Sequence, residues 1–189
     1  MFKLCTDMNN YSNHFLIAMP HMTDGIFRQG LVYLCDHDGT GAMGLMINKP
    51  MMTDKVEDIL KQTQLDKANP HPHVYFGGPV RIEQGLFLHD HSYTIDGTVA
   101  ISDDISLTVN PGIIDDILYG KGPRNFQFTL GYSGWGAGQL EREIENGDWL
   151  VMPAIPGFIF KTPDSKKWKT AASHFGIDIL DFSGPSGMA

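Results

Sequence analysis

The sequence predicts an α+β fold built on a largely antiparallel or mixed sheet. Three observations lead there. Short apolar runs with strand character outnumber helical patterns, several of those runs are joined by short loops, and no regular strand–helix alternation is present. A doubly wound parallel sheet needs that alternation, so it is set aside.

The elements follow in order. His14-Phe15-Leu16-Ile17-Ala18-Met19, closed by Pro20, reads as a buried strand. Gly30 to Cys35 and Gly44 to Asn48 read as a strand pair, with turn chemistry between them from Asp36 to Gly41. Asp54 to Gln62 reads as a helix: Asp54 and Glu57 have capping-box spacing, and Val56, Ile59 and Leu60 share a face. Short strands are expected at Val74–Phe76, Leu86–Leu88, Thr98–Ile101 and Ser106–Thr108. Asn110-Pro111 is an N-cap followed by a first-turn proline, opening a helix that carries Ile113, Ile114, Ile117 and Leu118 and ends at Gly120. Phe126 to Leu130 alternates as a half-buried strand does, and a glycine-rich loop from Gly131 to Gly138 is expected after it. A helix from Gln139 to Glu145 stops at Gly147, and Trp149–Met152 and Phe158–Phe160 read as strands. The last helix opens near Thr162-Pro163, buries Trp168, Ala171, Ala172 and Phe175 on one face, and ends at Gly176.

With 189 residues, 42 % hydrophobic and 19 % charged, the chain has the composition of a folded domain. Residues 1–12 read as a loose polar leader and residues 13–189 as one domain. The formal net charge of −8 opposes an approach to phosphate backbones, so direct nucleic-acid binding is not expected. The basic cluster Lys161, Lys166, Lys167 and Lys169 reads as a solvated face. The two cysteines, Cys5 and Cys35, make no disulfide framework and point to a reducing cytoplasm. No apolar run is long enough to span a bilayer, and the first residues lack a secretory pattern.

Two glycine motifs invite chemistry. Gly39-Thr40-Gly41-Ala42-Met43-Gly44 matches a dinucleotide fingerprint, but no helix opens inside it, and a hairpin turn accounts for it better. Gly131-Tyr132-Ser133-Gly134-Trp135-Gly136-Ala137-Gly138-Gln139 has a strand before it and a helix after it. It lacks the Lys-Ser or Lys-Thr of a phosphate loop, and Glu141, Glu143 and Glu145 would repel an anion. Trp135 stands where a nucleophile elbow built on Ser133 needs glycine. The segment therefore reads first as a tight turn anchored by a buried Trp135, with Gln139 bonded to nearby backbone. The histidines, including the pairs His71/His73 and His89/His91, read as surface loop residues, and no metal site is expected.

In this order, His14-Phe15-Leu16-Ile17-Ala18-Met19-Pro20, Tyr33-Leu34-Cys35-Asp36-His37, Gly41 through Pro50, Gly77-Gly78-Pro79-Val80, Gly131 through Trp135 with Gly138-Gln139-Leu140-Glu141, and Trp168 with Ala171 and Gly176-Ile177-Asp178 closely resemble the bacterial YqgE/AlgH family from about residue 13 onward. The resemblance implies a sheet folded into a partial barrel with flanking helices, and a cytoplasmic bacterial protein. Some members are called transcriptional regulators through a link to alginate production. The family has no established catalytic mechanism, so no catalytic residues carry over. Tyr132-Ser133 replaces the usual Tyr-Ala, and the end Gly187-Met188-Ala189 departs from the common Gly-His-Ala.

These readings favour a non-enzymatic regulatory or adaptor protein with a protein partner, no cofactor and no catalytic set. The alternative is a small-ligand binder or enzyme with Asn48, Gly78, Trp135 and Gln139 as pocket candidates.

Overall fold

The computed structural model describes residues 10–68 and 72–176. Cys5, His71, most of the expected leader and the C-terminal Gly187-Met188-Ala189 lie outside those residues.

In chain order the elements are β1 (His14–Ala18), β2 (Leu31–Asp38), β3 (Gly41–Met46), β4 (Pro50–Met51), α1 (Asp54–Gln62), a 3-10 turn at Leu65–Lys67, β5 (Val74–Phe76), β6 (Val80–Asp90), β7 (Thr98–Ala100), β8 (Ile105–Thr108), α2 (Gly112–Leu118), β9 (Phe126–Gly136), α3 (Gln139–Glu145), β10 (Trp149–Pro153), α4 (Pro156–Lys161) and α5 (Asp164–Ser173). The main sheet runs β10-β1-β2-β3-β9-β6-β8-β7 and curls into a half-barrel, so the expected α+β partial barrel is present. β5 pairs with β4 on one side and runs parallel to β9 on the other; every other pairing is antiparallel.

The curl leaves apolar surface on both faces, and helices cover both. Phe15 and Ile17 of β1 enter a core shared with Tyr33, Leu45, Leu88, Phe158 and Trp168, beneath α4 and α5. Their neighbours Leu16 and Ala18 point the other way, into a cluster with Met46, Trp135, Leu140 and Trp149 under α3. A third cluster packs Val56 and Leu60 of α1 and Ile113 of α2 against Val74, Phe87 and Phe128. Burial on both faces explains why β1 and β2 read as continuous apolar runs rather than alternating ones.

Several boundaries differ from expectation for local reasons. The glycine-rich segment up to Gly136 is extended strand, not loop: β9 continues through it and pairs with β3 from Gly41↔Gly136 to Gly44↔Ser133. Phe158–Phe160 belongs to helix α4, which opens on Pro156 at its first turn; a three-residue apolar run carries no periodicity to separate helix from strand. The N-cap of α1 is Thr53, whose side chain accepts from the Val56 N–H, and not Asp54. Helix α2 starts at Gly112, where Asn110 Oδ1 still accepts the Gly112 N–H at 2.9 Å. On α5, Phe175 lies past the helix end and is exposed, and the buried face takes Lys167 instead. Among the described residues no helix is long and apolar enough to cross a membrane.

Candidate functional site

Along the second half of β9 the side chains alternate. Ser133 and Trp135 turn inward; Gly134 and Gly136 face solvent, with Tyr132 half-buried between. The Ser133 hydroxyl is fully buried and donates to the Gly77 carbonyl at 3.2 Å, which removes it as a nucleophile. Trp135 Nε1 donates to Glu143 Oε2 at 2.8 Å, and Trp149 Nε1 reaches the same oxygen at 2.9 Å. Gln139 Nε2 donates to Glu143 Oε1 at 2.8 Å while its Oε1 accepts the Gly136 N–H at 3.1 Å. One carboxylate thus takes three donors and fastens β9, α3 and β10 together. Glu143 was legible only as negative charge. Its position one helical turn after Gln139 is the signal that points to it.

Gly78 and Gly131 serve a close crossing of backbones. Gly78 has φ +152°, and a Cβ there would lie 2.2 Å from the Tyr132 carbonyl carbon; Gly131 has φ +68°, and its Cβ would lie 2.5 Å from the Gly78 oxygen. Asn48 closes the end of the β2–β3 hairpin: Oδ1 accepts the Leu31 N–H at 2.9 Å and Nδ2 donates to the Gln29 carbonyl at 2.8 Å. Trp135 and Gln139 are therefore brought together through Glu143, and Gly78 meets β9 two residues before Trp135. Asn48 lies elsewhere along the hairpin: Trp135 pairs with Ala42, whereas Asn48 sits in a bend past the end of β3, between Met46, whose N–H donates to the Gly77 carbonyl, and Lys49, whose carbonyl accepts the Phe76 N–H.

Beside the segment lies an open groove of about 420 Å3 lined by Asp36, Asp38, Gly41, Tyr132, Gly134 and Trp135. Its floor is flat for a reason unlike that at Gly78. A Cβ on Gly134 would meet no heavy atom closer than 3.5 Å, so neither space nor backbone demands glycine there.

A second polar constellation escaped the sequence reading. Lys167 is 1 % exposed, which removes it from the expected solvated basic face. Its Nζ donates to the Ile47 carbonyl at 2.8 Å and to Asp164 Oδ1 at 2.8 Å, and it stands 5.5 Å from the centre of the Tyr75 ring. Tyr75 Oη donates to Asp164 Oδ2 at 3.1 Å. Burial lowers the Lys167 ammonium below the usual lysine range, against the opposing pull of Asp164. The position was recoverable: Lys167 falls four residues before Ala171, on the buried face of α5.

Two histidines expected at the surface are buried. His37 Nε2 donates to Glu141 Oε1 at 2.9 Å, while its Nδ1 accepts the Tyr11 N–H at 3.0 Å. The Glu141 carboxyl is held below its usual range, first by a hydrogen bond from its own backbone N–H at the start of α3 and then by His37. His89 Nδ1 donates to the Asp90 carbonyl at 2.6 Å and Nε2 accepts from Thr108 at 2.8 Å. Burial pushes His89 below the ordinary histidine value, outweighing the Asp90 groups that raise it.

A family model described as AlgH-like matches residues 15–180. The chain is 41 % identical over 186 residues to a UPF0301 protein of Hahella chejuensis, covering 98 % of this chain and 100 % of that one. It is 40 % identical over 189 residues to a UPF0301 protein of Pseudoalteromonas translucida, covering 96 % of this chain and 100 % of that one. The solution structure of the AlgH protein from Pseudomonas aeruginosa superposes with a TM-score of 0.74 at 33 % identity, over 97 % of this chain and 98 % of that one. A Corynebacterium diphtheriae crystal structure shares the fold at 19 % identity, with a TM-score of 0.72 and 92 % of each chain covered.

Proposed function

The chain belongs to the AlgH-like family, and from that premise we propose that it is a non-enzymatic regulatory or adaptor protein of the bacterial cytoplasm that works through protein contacts. One observation carries the reading. The polar groups of the densest motif are spent on structure, Ser133 on Gly77 and Trp135 and Gln139 on Glu143, while the same strand leaves a bare glycine floor at Gly134 on its outer face. That combination supports a surface shaped for recognition. Residues 13–189 act in this reading as one domain.

Contact with protein fits the charge better than contact with DNA. The net charge is −8, and burial of Lys167 against Asp164 breaks up the best basic cluster. Any link to transcription is then indirect. A gel shift on promoter DNA at physiological salt, with a steep salt slope, would reverse that judgement.

The test is affinity capture from a lysate of the source bacterium with wild-type protein and with Gly134→Val, which fills the groove without touching the core. A partner recovered repeatedly with wild type and at least tenfold less with the variant supports the proposal. Repeated captures with no partner above background sink it. A small-ligand reading keeps one supporting observation: of its pocket candidates Asn48, Gly78, Trp135 and Gln139, Trp135 lines the groove.

A further inference from the structure

β6 starts at Val80, opposite Tyr132, so its side of β9 is open past that residue. The backbone of β9 faces the opening. The β2–β3 hairpin closes on Asp38 and Gly41, which turns the amides of Gly41 and Met43 toward β2 and those of Ala42 and Gly44 toward β9. Met46 keeps the alternation, sending its N–H away from β2 to the Gly77 carbonyl. Ser133 and Trp135 are therefore the residues that bond β3, and Gly134 and Gly136 point the other way. Gly136 spends its N–H on Gln139 Oε1. Among the described residues the N–H and C=O of Gly134 meet no partner.

The same stretch floors the groove. Asp36 stands opposite Met43, and Met43 opposite Gly134; two residues along, Asp38 stands opposite Gly41, and Gly41 opposite Gly136. Residues opposed in register share a face. Two tracks thus run across the sheet from the open edge to a carboxylate, one crossing only the Met43 side chain and the other crossing none. Among the described residues neither carboxylate has an ion pair. Asp38 accepts from Thr40, whereas Asp36 accepts from no other group.

We propose that the groove takes an extended segment of a partner protein, added antiparallel beside Gly134, with an arginine laid across the glycine track onto Asp36. This rests on the groove being a protein-contact surface and names what that surface recognises. Strand addition supplies backbone bonds that ignore sequence, and the side chain supplies the choice. Three strand spacings, about 14 Å, separate the added residue from Asp36, a span that calls for the longest basic side chain. The apolar stem of arginine lies over Met43, and its fork matches a carboxylate. A second arginine two positions on faces the Asp38 track. A basic segment also complements the net charge of −8.

The test titrates the whole protein with a capped hexapeptide that alternates valine and arginine. Saturable binding is expected. Citrulline in place of arginine keeps the shape without the charge and should bind at least tenfold more weakly. N-methylation of the arginine amides, which face β9, should cost at least tenfold, and N-methylation of the valine amides, which face away, should cost far less. Asp36→Asn should weaken binding at least fivefold. Asp58→Asn, on the exposed side of α1, makes the same change in net charge and should leave affinity unchanged. Absence of saturable binding, equal binding of the citrulline peptide, equal losses from the two methylations, or full affinity in Asp36→Asn overturns the proposal. Lysate capture with Gly134→Val judges the groove separately. A partner lost with Gly134→Val but kept in full by Asp36→Asn leaves the contact surface standing and overturns the arginine on Asp36.

Discussion

Lys167 Nζ lies 2.8 Å from the carbonyl oxygen of Ile47, joining α5 to the end of β3 across 120 positions of sequence. The bond places a charged amine inside the half-barrel, where Asp164 balances it. Removing the amine leaves the Asp164 carboxylate to the Tyr75 hydroxyl and the Ile47 carbonyl to one long bond of 3.4 Å from Gln127. Lys167→Ala should therefore lose about 3 kcal/mol, the low end for breaking a buried pair because Asp164 keeps 23 % of its side-chain exposure. Lys167→Met, which keeps the packing of the stem, should lose less. Urea unfolding of the two variants against wild type measures both.

The glycines on and against β9 divide into two classes. Gly78 is held at φ +152° against the Tyr132 backbone, and Gly78→Ala should cost more than about 3 kcal/mol or prevent folding. Gly134 has room for a Cβ, and Gly134→Ala should stabilise by roughly 0.5–1 kcal/mol, because alanine loses less backbone freedom in a strand. Denaturant midpoints for the pair check the opposite signs directly.

Stability should fall in mild acid because of His89. Its folded value is depressed by burial, so the unfolded chain binds the proton more readily. The contribution is fully present above the unfolded value, about pH 6.5, and is lost as pH falls below it, at no more than about 1.4 kcal/mol per pH unit. Unfolding midpoints between pH 7.5 and 5 should show that slope in wild type. They should show a shallower one in His89→Leu, whose overall stability is lower because the bonds of His89 to Thr108 and to the Asp90 carbonyl are lost.

Much of the fold was legible because its signals are local. The helix at Asp54–Gln62 and the strand at Val74–Phe76 are bounded as their residues indicate, since caps, turn residues and apolar runs act over a few positions. Phe158–Phe160 was misread because three apolar residues fit either period, and Pro156 decided the matter from just outside the run. The glycine-rich segment was misread because glycine signals a turn and a close approach equally. Pairing with β3, some ninety residues earlier, and with Val80 of β6 selects extended strand. Helical spacing from Ala171 marks the Lys167 position as buried, but the Ile47 carbonyl that accepts from it, and the Thr108 hydroxyl that donates to His89, are set by topology.

β9 joins three strands at once, β3 and β6 antiparallel and β5 parallel. Its partners all precede it in the chain, and none of them pairs with another of the three. During synthesis the edges of β3, β5 and β6 therefore stay open until residues through Gly136 have left the ribosome. Closing them requires long loops to come together, which makes the step slow and its precursor prone to aggregate. A chain cut short before β9 would keep its hairpins but lose the strand that joins them in one sheet.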